Sequence, residues 1–269
     1  MSDHYYTQAG EPRHLVEKAN GNGLRPTTLR DAKKELLVPS FSTINGIRNK
    51  YQLNRWITKK AIEASYGFNP AQFDGAEDYA RAVMEFFDET AGDRTGSDEG
   101  SAIHAAIESL GKGQDCDPAY HAHARAALDH VRHLFPQVKD WRHEFTFANS
   151  MGFGGMVDMH SPSTGILVDF KTKDFLLDID GNPTREDGRK YRLDYDQYIQ
   201  LAAYQRGLGL PGNLAANVFV SRLDPGVVCH RVWDMDELAK GWDIFTLQFR
   251  LWTLVNDYDP SFMPEEEAA

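Results

Sequence analysis

Three charged residues, Asp158, Asp169 and Lys171, lie close together in the sequence. The stretch from Ile166 to Lys171 is apolar and partly β-branched, which predicts a β-strand. Alternate side chains of a strand share a face, so Leu167, Asp169 and Lys171 should point the same way. A buried strand rarely carries two charges on one face unless they are paired or bind a ligand. Carboxylates bind hard cations, and a neighbouring lysine can orient an attacking water or stabilise a developing anion.

The same charges have a simpler interpretation, in which Asp169 and Lys171 form an ion pair at the end of a strand. Taken alone, an aspartate and a lysine two positions apart are a weak functional signal. The other face of this strand is apolar, with Ile166, Val168 and Phe170. The remaining elements therefore decide between a structural pair and a reactive site.

The pattern of apolar residues predicts helices around a sheet. Two hairpin arms are expected at Met156–Asp158 and Ile166–Lys171, after a turn at 152–155. Further strands are predicted at Trp141–Ala148, Asn217–Ser221 and Val227–Val232. Helices are predicted within 44–62 and at Ala76–Glu89, Ser101–Leu110, Pro118–Leu134, Tyr195–Leu208 and Asp236–Val255, with loops at 92–100 and 178–190. This arrangement indicates one α/β domain with an added N-terminal helical region.

The composition is that of an ordinary globular protein, with 269 residues, 41% of them hydrophobic and 26% charged. No apolar stretch is long enough to span a membrane, and the N-terminus lacks the pattern of a targeting segment. The two cysteines, Cys116 and Cys229, are far apart and form no metal-binding spacing. We therefore expect a protein of the reducing cytoplasm without a disulfide framework.

The charge is distributed unevenly along the chain. The net charge of −11 opposes binding to nucleic acid, but the segment from Leu37 to Ile62 contains no acidic residue. Tyr51 and Trp56 in this segment could stack on unpaired bases or could belong to a core. The basic residues could bind phosphates or could form a solvated helix face. The candidate DNA-binding residues are Arg48, Lys50, Tyr51, Arg55, Trp56, Lys59 and Lys60.

Four groups of residues occur in an order that resembles the PD-(D/E)XK nuclease superfamily, in its RecB-like exonuclease branch. They are Gly100 with His104 and Glu108 on one helix, Asp158 on the first hairpin arm, Asp169-Phe170-Lys171 on the second, and Gln200 with Tyr204 on a later helix. In addition, Val38–Ile44 and Leu53–Trp56 resemble the start of phage exonucleases and of the mitochondrial genome maintenance exonuclease. The resemblance covers residues 38–255.

The resemblance implies a metal-dependent DNA exonuclease that acts at single-stranded ends. The fold would be a restriction-endonuclease-like mixed β-sheet flanked by helices. The boundaries would be a polar, flexible segment at 1–36, an N-terminal helical region at 37–95, a nuclease core at 96–260 and an acidic tail at 261–269. The sequence does not indicate the cleavage polarity or any protein partner.

The chemistry of these residues agrees with such a site. Asp158 and Asp169 are suitable ligands for Mg²⁺ or Mn²⁺, and the imidazole of His104 would favour Mn²⁺. The resemblance adds the backbone carbonyl of Phe170 as a ligand. It makes Lys171 the residue that orients or helps to deprotonate the water and stabilises the pentavalent phosphate. It also implies that Gln200 and Tyr204 touch the scissile strand or position Lys171 and the metal ligands. Glu108 and Glu144 are further candidates, for metal binding or for orienting His104.

Other interpretations remain open at this point. The chain could be a non-catalytic DNA-binding or assembly protein, or a site-specific endonuclease. His104 could be an ordinary helix residue, Tyr204 a core residue, and Glu144 half of a structural ion pair with Arg142. A four-cysteine iron–sulfur cluster within the chain is excluded, because the chain has two cysteines.

Two other motifs are expected to be structural. The histidines at 121, 123, 130 and 133 lie on one predicted helix, where a solvated face is favoured over a metal site. The segment Asp178–Asn182 resembles the start of a calcium-binding loop, but the twelfth position is Arg189, where calcium requires a glutamate.

Overall fold

The computed structural model describes residues 4–48, 51–90, 95–210, 212 and 214–263. The chain forms two compact units, one made of Met1–Ile47 and Ile103–Ala269, the other of Arg48–Ala102. The strands are β1 (Tyr5–Tyr6), β2 (Leu15–Glu17), β3 (Leu24–Pro26), β4 (Val38–Pro39), β5 (Arg142–Asn149), β6 (Phe153–His160), β7 (Leu167–Lys173), β8 (Leu176–Leu177), β9 (Pro183–Thr184), β10 (Ala215–Ser221) and β11 (Val228–Trp233). The helices are α1 (Leu29–Glu35), α2 (Phe41–Asn45), α3 (Tyr51–Ser65), α4 (Ala76–Thr90), α5 (Thr95–Gly111), α6 (His121–Leu134), α7 (Tyr198–Gly207) and α8 (Met235–Asn256), with a short 3₁₀ helix at Pro70–Gln72.

A five-stranded mixed sheet in the order β11-β10-β7-β6-β5 is the centre of the larger unit. β7 and β10 are parallel, whereas the other neighbours are antiparallel. Parallel neighbours need a crossover connection, and α7 lies in the segment that makes it. The predicted α/β class is therefore confirmed, and the sheet is mixed and flanked by helices.

The two faces of the sheet bury separate apolar clusters. One cluster joins Val157 and Leu167 to α2, α7 and α8, including Phe245. The other joins Val168 and Phe170 to α5 and α6. The side-chain alternation predicted for β7 is confirmed, because neighbouring residues of this strand enter opposite clusters. The Leu167 face, which also carries the charged residues of β7, is covered by α7 and α8.

The N-terminal residues differ from the flexible segment predicted for 1–36. Residues 4–36 contain three short strands and α1, and Tyr5 and Ala32 are fully buried. The helix begins with a capping box between Thr28 and Asp31. The hydroxyl of Tyr258, beyond the end of α8, donates to the carbonyl of Leu37 at 2.7 Å. The strands are too short to produce a periodic pattern, so composition alone indicated irregular structure.

The smaller unit is helical, as the sequence predicted for this part of the chain, with α3 and α4 as its main elements. The rings of Phe68 and Phe73 lie 6.0 Å apart, and Phe68 and Phe86 lie 5.3 Å apart. The loop predicted at 92–100 is wrong for its described part, because α5 already begins at Thr95. The helix continues through Gly96 and Gly100, so neither glycine ends it.

Candidate active site

The strands β6 and β7 separate at the residues that the sequence singled out. Their backbone pairing covers Met159 with Val168 and His160 with Leu167. One further step would place Asp158 opposite Asp169. There the Asp158 side chain reaches across instead, and its Oδ2 accepts the backbone N–H of Phe170 at 2.8 Å. We call this opening between the two strands, beyond Met159 and Val168, the strand fork.

The distortion continues into β5 on the other side of Asp158. Register pairs at His143–Met159 and Phe145–Val157 place Glu144 opposite Asp158. Glu144 has φ of 48°, in the left-handed region that non-glycine residues rarely adopt. Val157 and Met159 also enter opposite apolar clusters, although residues two apart on a regular strand share a face. The sheet is therefore locally irregular where Asp158 and Glu144 meet, as is common beside functional sites.

Asp169 is held by donors on both of its carboxylate oxygens. Lys171 Nζ lies 2.9 Å from Oδ1 and 2.8 Å from Oδ2, and Asn217 Nδ2 donates to Oδ2 at 2.7 Å. Burial lowers the pKa of Lys171, but the attraction of Asp169 and Asp158 outweighs it, so the pKa is raised. Lys171 is therefore protonated at neutral pH and acts as a donor. The predicted same-face pair exists, and it is part of a larger network.

Asp158 is less well compensated. Burial and then repulsion from Asp169 raise its pKa from 3.8 to about 6, against the opposing effects of His104 and Lys171. The Nδ1 atom of His104, on α5, lies 3.6 Å from Asp158 Oδ2. His104 thus lies near one of the two aspartates that the sequence analysis named with it as candidate metal ligands. The two aspartates carry more negative charge than Lys171 alone balances.

Gln200 and Tyr204 have different surroundings, although they are one turn apart on α7. Lys171 Nζ donates to Gln200 Oε1 at 3.3 Å, so Gln200 helps to orient the lysine. Tyr204 is a core residue, with its ring centroid 5.7 Å from that of Phe147. Burial raises the pKa of Tyr204 far above its usual range, and a hydrogen bond with Gln200 opposes this. Gly155 permits the packing, because a Cβ there would lie 2.6 Å from the Tyr204 ring.

The two further candidates, Glu108 and Glu144, also differ from one another. Glu108 forms an ion pair with Lys112, which directly follows the end of α5. Glu144 lies within the influence of Asp158 and Glu108, and burial followed by repulsion from these two raises its pKa from 4.5 to about 7. Among the described residues, no ion pair joins Glu144 to Arg142. Glu144 is therefore a third carboxylate near Asp158, on the β5 side of that residue.

The donor set fits a hard divalent cation in its chemistry. The imidazole of His104 lies beside Asp158, and a cation would relieve the repulsion between Asp158 and Asp169. Within the described ranges, the side chains do not bring three His, Cys, Asp or Glu residues together as a ready metal-binding group. Mg²⁺ commonly uses one or two carboxylates together with water and substrate phosphate, so such a group is not required.

No known protein family matches this chain, and no curated protein sequence matches it. The interpretation of the site therefore depends on the geometry just described.

Two polar residues of this region escaped the sequence analysis. Asn217, on β10, is fully buried and contacts Asp169, and its Oδ1 accepts the indole N–H of Trp233 at 2.8 Å. Lys173 lies two positions beyond Lys171 on the same face of β7. Burial, and then repulsion from Lys171 and Arg222, lowers the pKa of Lys173. A buried asparagine in an apolar strand was the available signal for Asn217, and the continued alternation of β7 was the signal for Lys173.

The candidate DNA-binding residues lie in the smaller unit or just before α3. Lys50 lies outside the described residues, as do the side chains of Tyr51 and Trp56, whereas Arg55 is exposed. Lys59 and Lys60 lie 3.4 and 2.8 Å from carboxylate oxygens of Glu63. The sequence grouped these lysines by the absence of acidic residues up to position 62, and Glu63 follows directly. Part of the positive charge of Lys59 and Lys60 is therefore balanced by Glu63. Arg48 lies before the start of α3.

The histidines of α6 are not simply a solvated face. His121 and His133 are exposed, but His123 is buried. His130 Nε2 lies 2.9 Å from Nδ1 of His230 on β11. Desolvation, and then repulsion from His230, lowers the pKa of His130. The solvated-face prediction is therefore wrong for His123 and His130, because α6 packs against the sheet with that side.

The loop after β8, which resembles the start of a calcium-binding loop in sequence, is a hydrogen-bonded turn. Asp178 accepts the backbone N–H groups of Asp180 and Asn182 at 3.0 and 2.8 Å, which closes a tight turn. Within the residues that the structure describes, none of the helices combines the length and apolar composition needed to cross a bilayer.

Proposed function

We propose that this chain is a metal-dependent deoxyribonuclease, an exonuclease that hydrolyses phosphodiester bonds at single-stranded DNA ends. The observation that carries the proposal is the strand fork, where Asp158 accepts the Phe170 N–H and is repelled by Asp169, with Lys171 2.8 Å from Asp169. The mixed sheet with helices on both faces supports a restriction-endonuclease-like fold for this site. The low cysteine content agrees with the proposed cytoplasmic location.

Each side chain has a role that follows from its surroundings. Asp158 and Asp169 would hold Mg²⁺ or Mn²⁺, with His104 and the carbonyl of Phe170 as further ligands, and Glu144 as a neighbouring carboxylate. When bound, such a cation lowers the pKa of coordinated water and stabilises charge on the phosphate. Lys171, protonated and directed by Asp169 and Gln200, donates a hydrogen bond to the attacking water or to a phosphate oxygen.

An anionic substrate is supported by a second observation on the same face of β7. Lys171 and Lys173 lie two residues apart, and each is partly exposed. Lys173 is repelled by Lys171 and Arg222, so a phosphate placed near it would relieve that repulsion. The two lysines give this one face of β7 a local positive charge, although the chain as a whole carries −11.

A non-catalytic DNA-binding role explains the fork less well. Burial of Asp158 beside Asp169 is unfavourable, because it raises the pKa of Asp158 to about 6. A protein with no use for the charge would be more stable with an uncharged residue there. The buried pair is therefore better explained by a reaction or a cation that needs it.

The test is cleavage of end-labelled linear DNA, single- and double-stranded, and of circular single-stranded DNA, with Mg²⁺, Mn²⁺ or EDTA. We expect metal-dependent loss of the linear single strand from its ends, with the circle left intact. Lys171→Met should abolish cleavage, whereas Lys139→Met, an exposed lysine of the same unit, should retain it. Cleavage in EDTA, or full activity in Lys171→Met, would contradict the proposal. A cut circle would favour the endonuclease instead.

A further inference from the structure

Asn217 occupies a position that the fold places beside Asp169. β10 runs parallel to β7, and Asn217 is the register partner of Asp169, so the two side chains share a face. Asn217 is 0% exposed, and its amide makes two short hydrogen bonds. Nδ2 donates to Asp169 Oδ2 at 2.7 Å, and Oδ1 accepts from Trp233 Nε1 at 2.8 Å. Both polar ends of this buried amide are therefore used.

The chemistry of the two partners fixes the orientation of the amide. The indole N–H of Trp233 can only donate, and an ionised carboxylate can only accept. If the Asn217 amide turned over, its NH₂ group would face the indole N–H and its oxygen would face Asp169, and both hydrogen bonds would be lost. Trp233 thus ensures that the NH₂ group points at Asp169.

Trp233 is itself held in place from two sides. The ring of Tyr198 lies 5.3 Å from it, centroid to centroid, and the Arg231 guanidinium lies 4.7 Å from its ring centroid. Arg231 is fixed in turn by Glu237, at 2.6 Å. Tyr198 begins α7, the helix that also carries Gln200, the acceptor for Lys171. One helix therefore supports both ends of the network.

We propose that Asn217 is a positioning residue that fixes the carboxylate of Asp169, and that Trp233 acts through Asn217. The inference rests on the proposed function in that Asp169 is taken as a metal ligand. Lys171 contacts both oxygens of Asp169 from one atom, so it restrains rotation of the carboxylate only weakly. The Asn217 hydrogen bond adds a second direction and leaves Asp169 one preferred orientation. Ligand carboxylates are commonly held by such outer hydrogen bonds.

The first measurement is the affinity for Mn²⁺ without substrate, by titration calorimetry on the full chain. Asn217→Leu should weaken Mn²⁺ binding by about tenfold or more, as is typical when an outer partner of a ligand is lost. Trp233→Phe should weaken it less, and should add nothing when combined with Asn217→Leu. A purely structural role predicts independent effects of the two changes.

The matched control is Ser221→Ala, on the same face of β10. Ser221 is also fully buried, and its hydroxyl donates to the carbonyl of Phe175, away from Asp169. This variant loses that hydrogen bond and the two that the hydroxyl accepts from the N–H groups of Leu223 and Asp224, but should keep the Mn²⁺ affinity of the parent. Parent-like binding by Asn217→Leu, with binding lost in Asp169→Asn, would overturn the positioning role and leave the proposed function intact. Should Asn217→Leu not fold, Trp233→Phe provides the same comparison.

A second measurement does not depend on metal or on activity. The indole N–H resonance of Trp233, assigned by its loss in Trp233→Phe, should shift in Asp169→Asn, because Asn217 transmits the change of charge. Asp174→Asn, an exposed carboxylate beyond the end of β7, should leave it unchanged. If the parent binds no Mn²⁺, the proposed function fails, and this resonance alone decides the positioning role. An unshifted resonance in Asp169→Asn overturns it.

Discussion

Asp158 and Asp169 lie on the two strands that separate at the strand fork, but the fold surrounds them differently. Asp169 accepts hydrogen bonds from Lys171 and Asn217, so its charge is balanced by neighbours in the sheet. Asp158 accepts one backbone N–H, and Glu144 and Asp169 add negative charge beside it. One side of the site is therefore a closed network and the other is short of positive charge. The comparison indicates that an incoming cation would stabilise the Asp158 side most.

Removal of Lys171 should have the largest effect, because it leaves the balanced side without its cation. In Lys171→Met we expect nuclease activity to fall by about a thousandfold, the scale of losing an electrostatic donor. Stability at pH 8 should fall by about 3 kcal/mol, since a buried carboxylate loses its partner. Urea unfolding at pH 8 and pH 5 measures the second effect, which should shrink in acid as Asp158, with a pKa of about 6, becomes protonated and no longer repels Asp169. A loss of stability that is independent of pH would contradict this explanation.

The opposite change is expected on the Asp158 side. Because the folded state raises the pKa of Asp158 from 3.8 to about 6, protonated Asp158 favours folding. This contribution to stability is fully present below about pH 4 and is lost as the pH rises through about 6. Asp158→Asn keeps an acceptor for the Phe170 N–H, and should be more stable than the parent by about 2 kcal/mol at pH 8. It should also lose the stabilisation by Mn²⁺ that we expect for the parent. Thermal unfolding with and without Mn²⁺ measures both effects, and a less stable Asp158→Asn would disprove the first.

Neutralising Glu144 should also raise the stability at pH 8, but by less than neutralising Asp158. Its pKa is raised from 4.5 to about 7, so the parent loses stability as the pH rises across that interval. Because Glu144 is partly exposed, we expect Glu144→Gln to gain only about 1 kcal/mol at pH 8. The control is Glu186→Gln, an exposed carboxylate whose removal should leave the stability profile unchanged. Parallel profiles for the parent and Glu144→Gln would show that Glu144 is not part of the unbalanced side.

Lys173→Ala should give the smallest effect, and it separates binding from chemistry. Lys173 is on the face of Lys171 but makes no described ion pair with Asp158 or Asp169. We expect a several-fold rise in KM with little change in kcat, as for a residue that contacts substrate equally before and during the reaction. Steady-state kinetics on labelled single strands tests this. A fall in kcat with unchanged KM would place Lys173 in the chemical step instead.

The features that sequence predicted are those set by local periodicity. The alternation of β7 put Asp169 and Lys171 on one face, and helical spacing put Gln200 and Tyr204 one turn apart. These relations depend on neighbours in the chain, so a single sequence contains them. The contact between Gln200 and Lys171 also needed the order of elements, which the family resemblance supplied.

The features that sequence missed depend on register and on local distortion. Asn217 meets Asp169 from 48 positions away, through the parallel pairing of β10 with β7, and no local pattern sets that register. The left-handed backbone conformation of Glu144 could not be predicted, because the usual sequence signal for it is a glycine and this position is a glutamate. The position of Tyr204 in the core was left open, because burial of a tyrosine is decided by packing partners such as Phe147.

The apolar cluster on the α7 face joins residues from Tyr5 to Trp252, which are far apart in sequence. The smaller unit, by contrast, is one continuous segment of sequence, Arg48–Ala102. Contacts within a continuous helical segment are close in sequence and form quickly, whereas those between the two ends of a chain require closure of a long loop. During synthesis the smaller unit can thus form before the C-terminal helix α8 has left the ribosome. The α7 face of the sheet, which carries Asp169 and Lys171, is covered only once α8 is available.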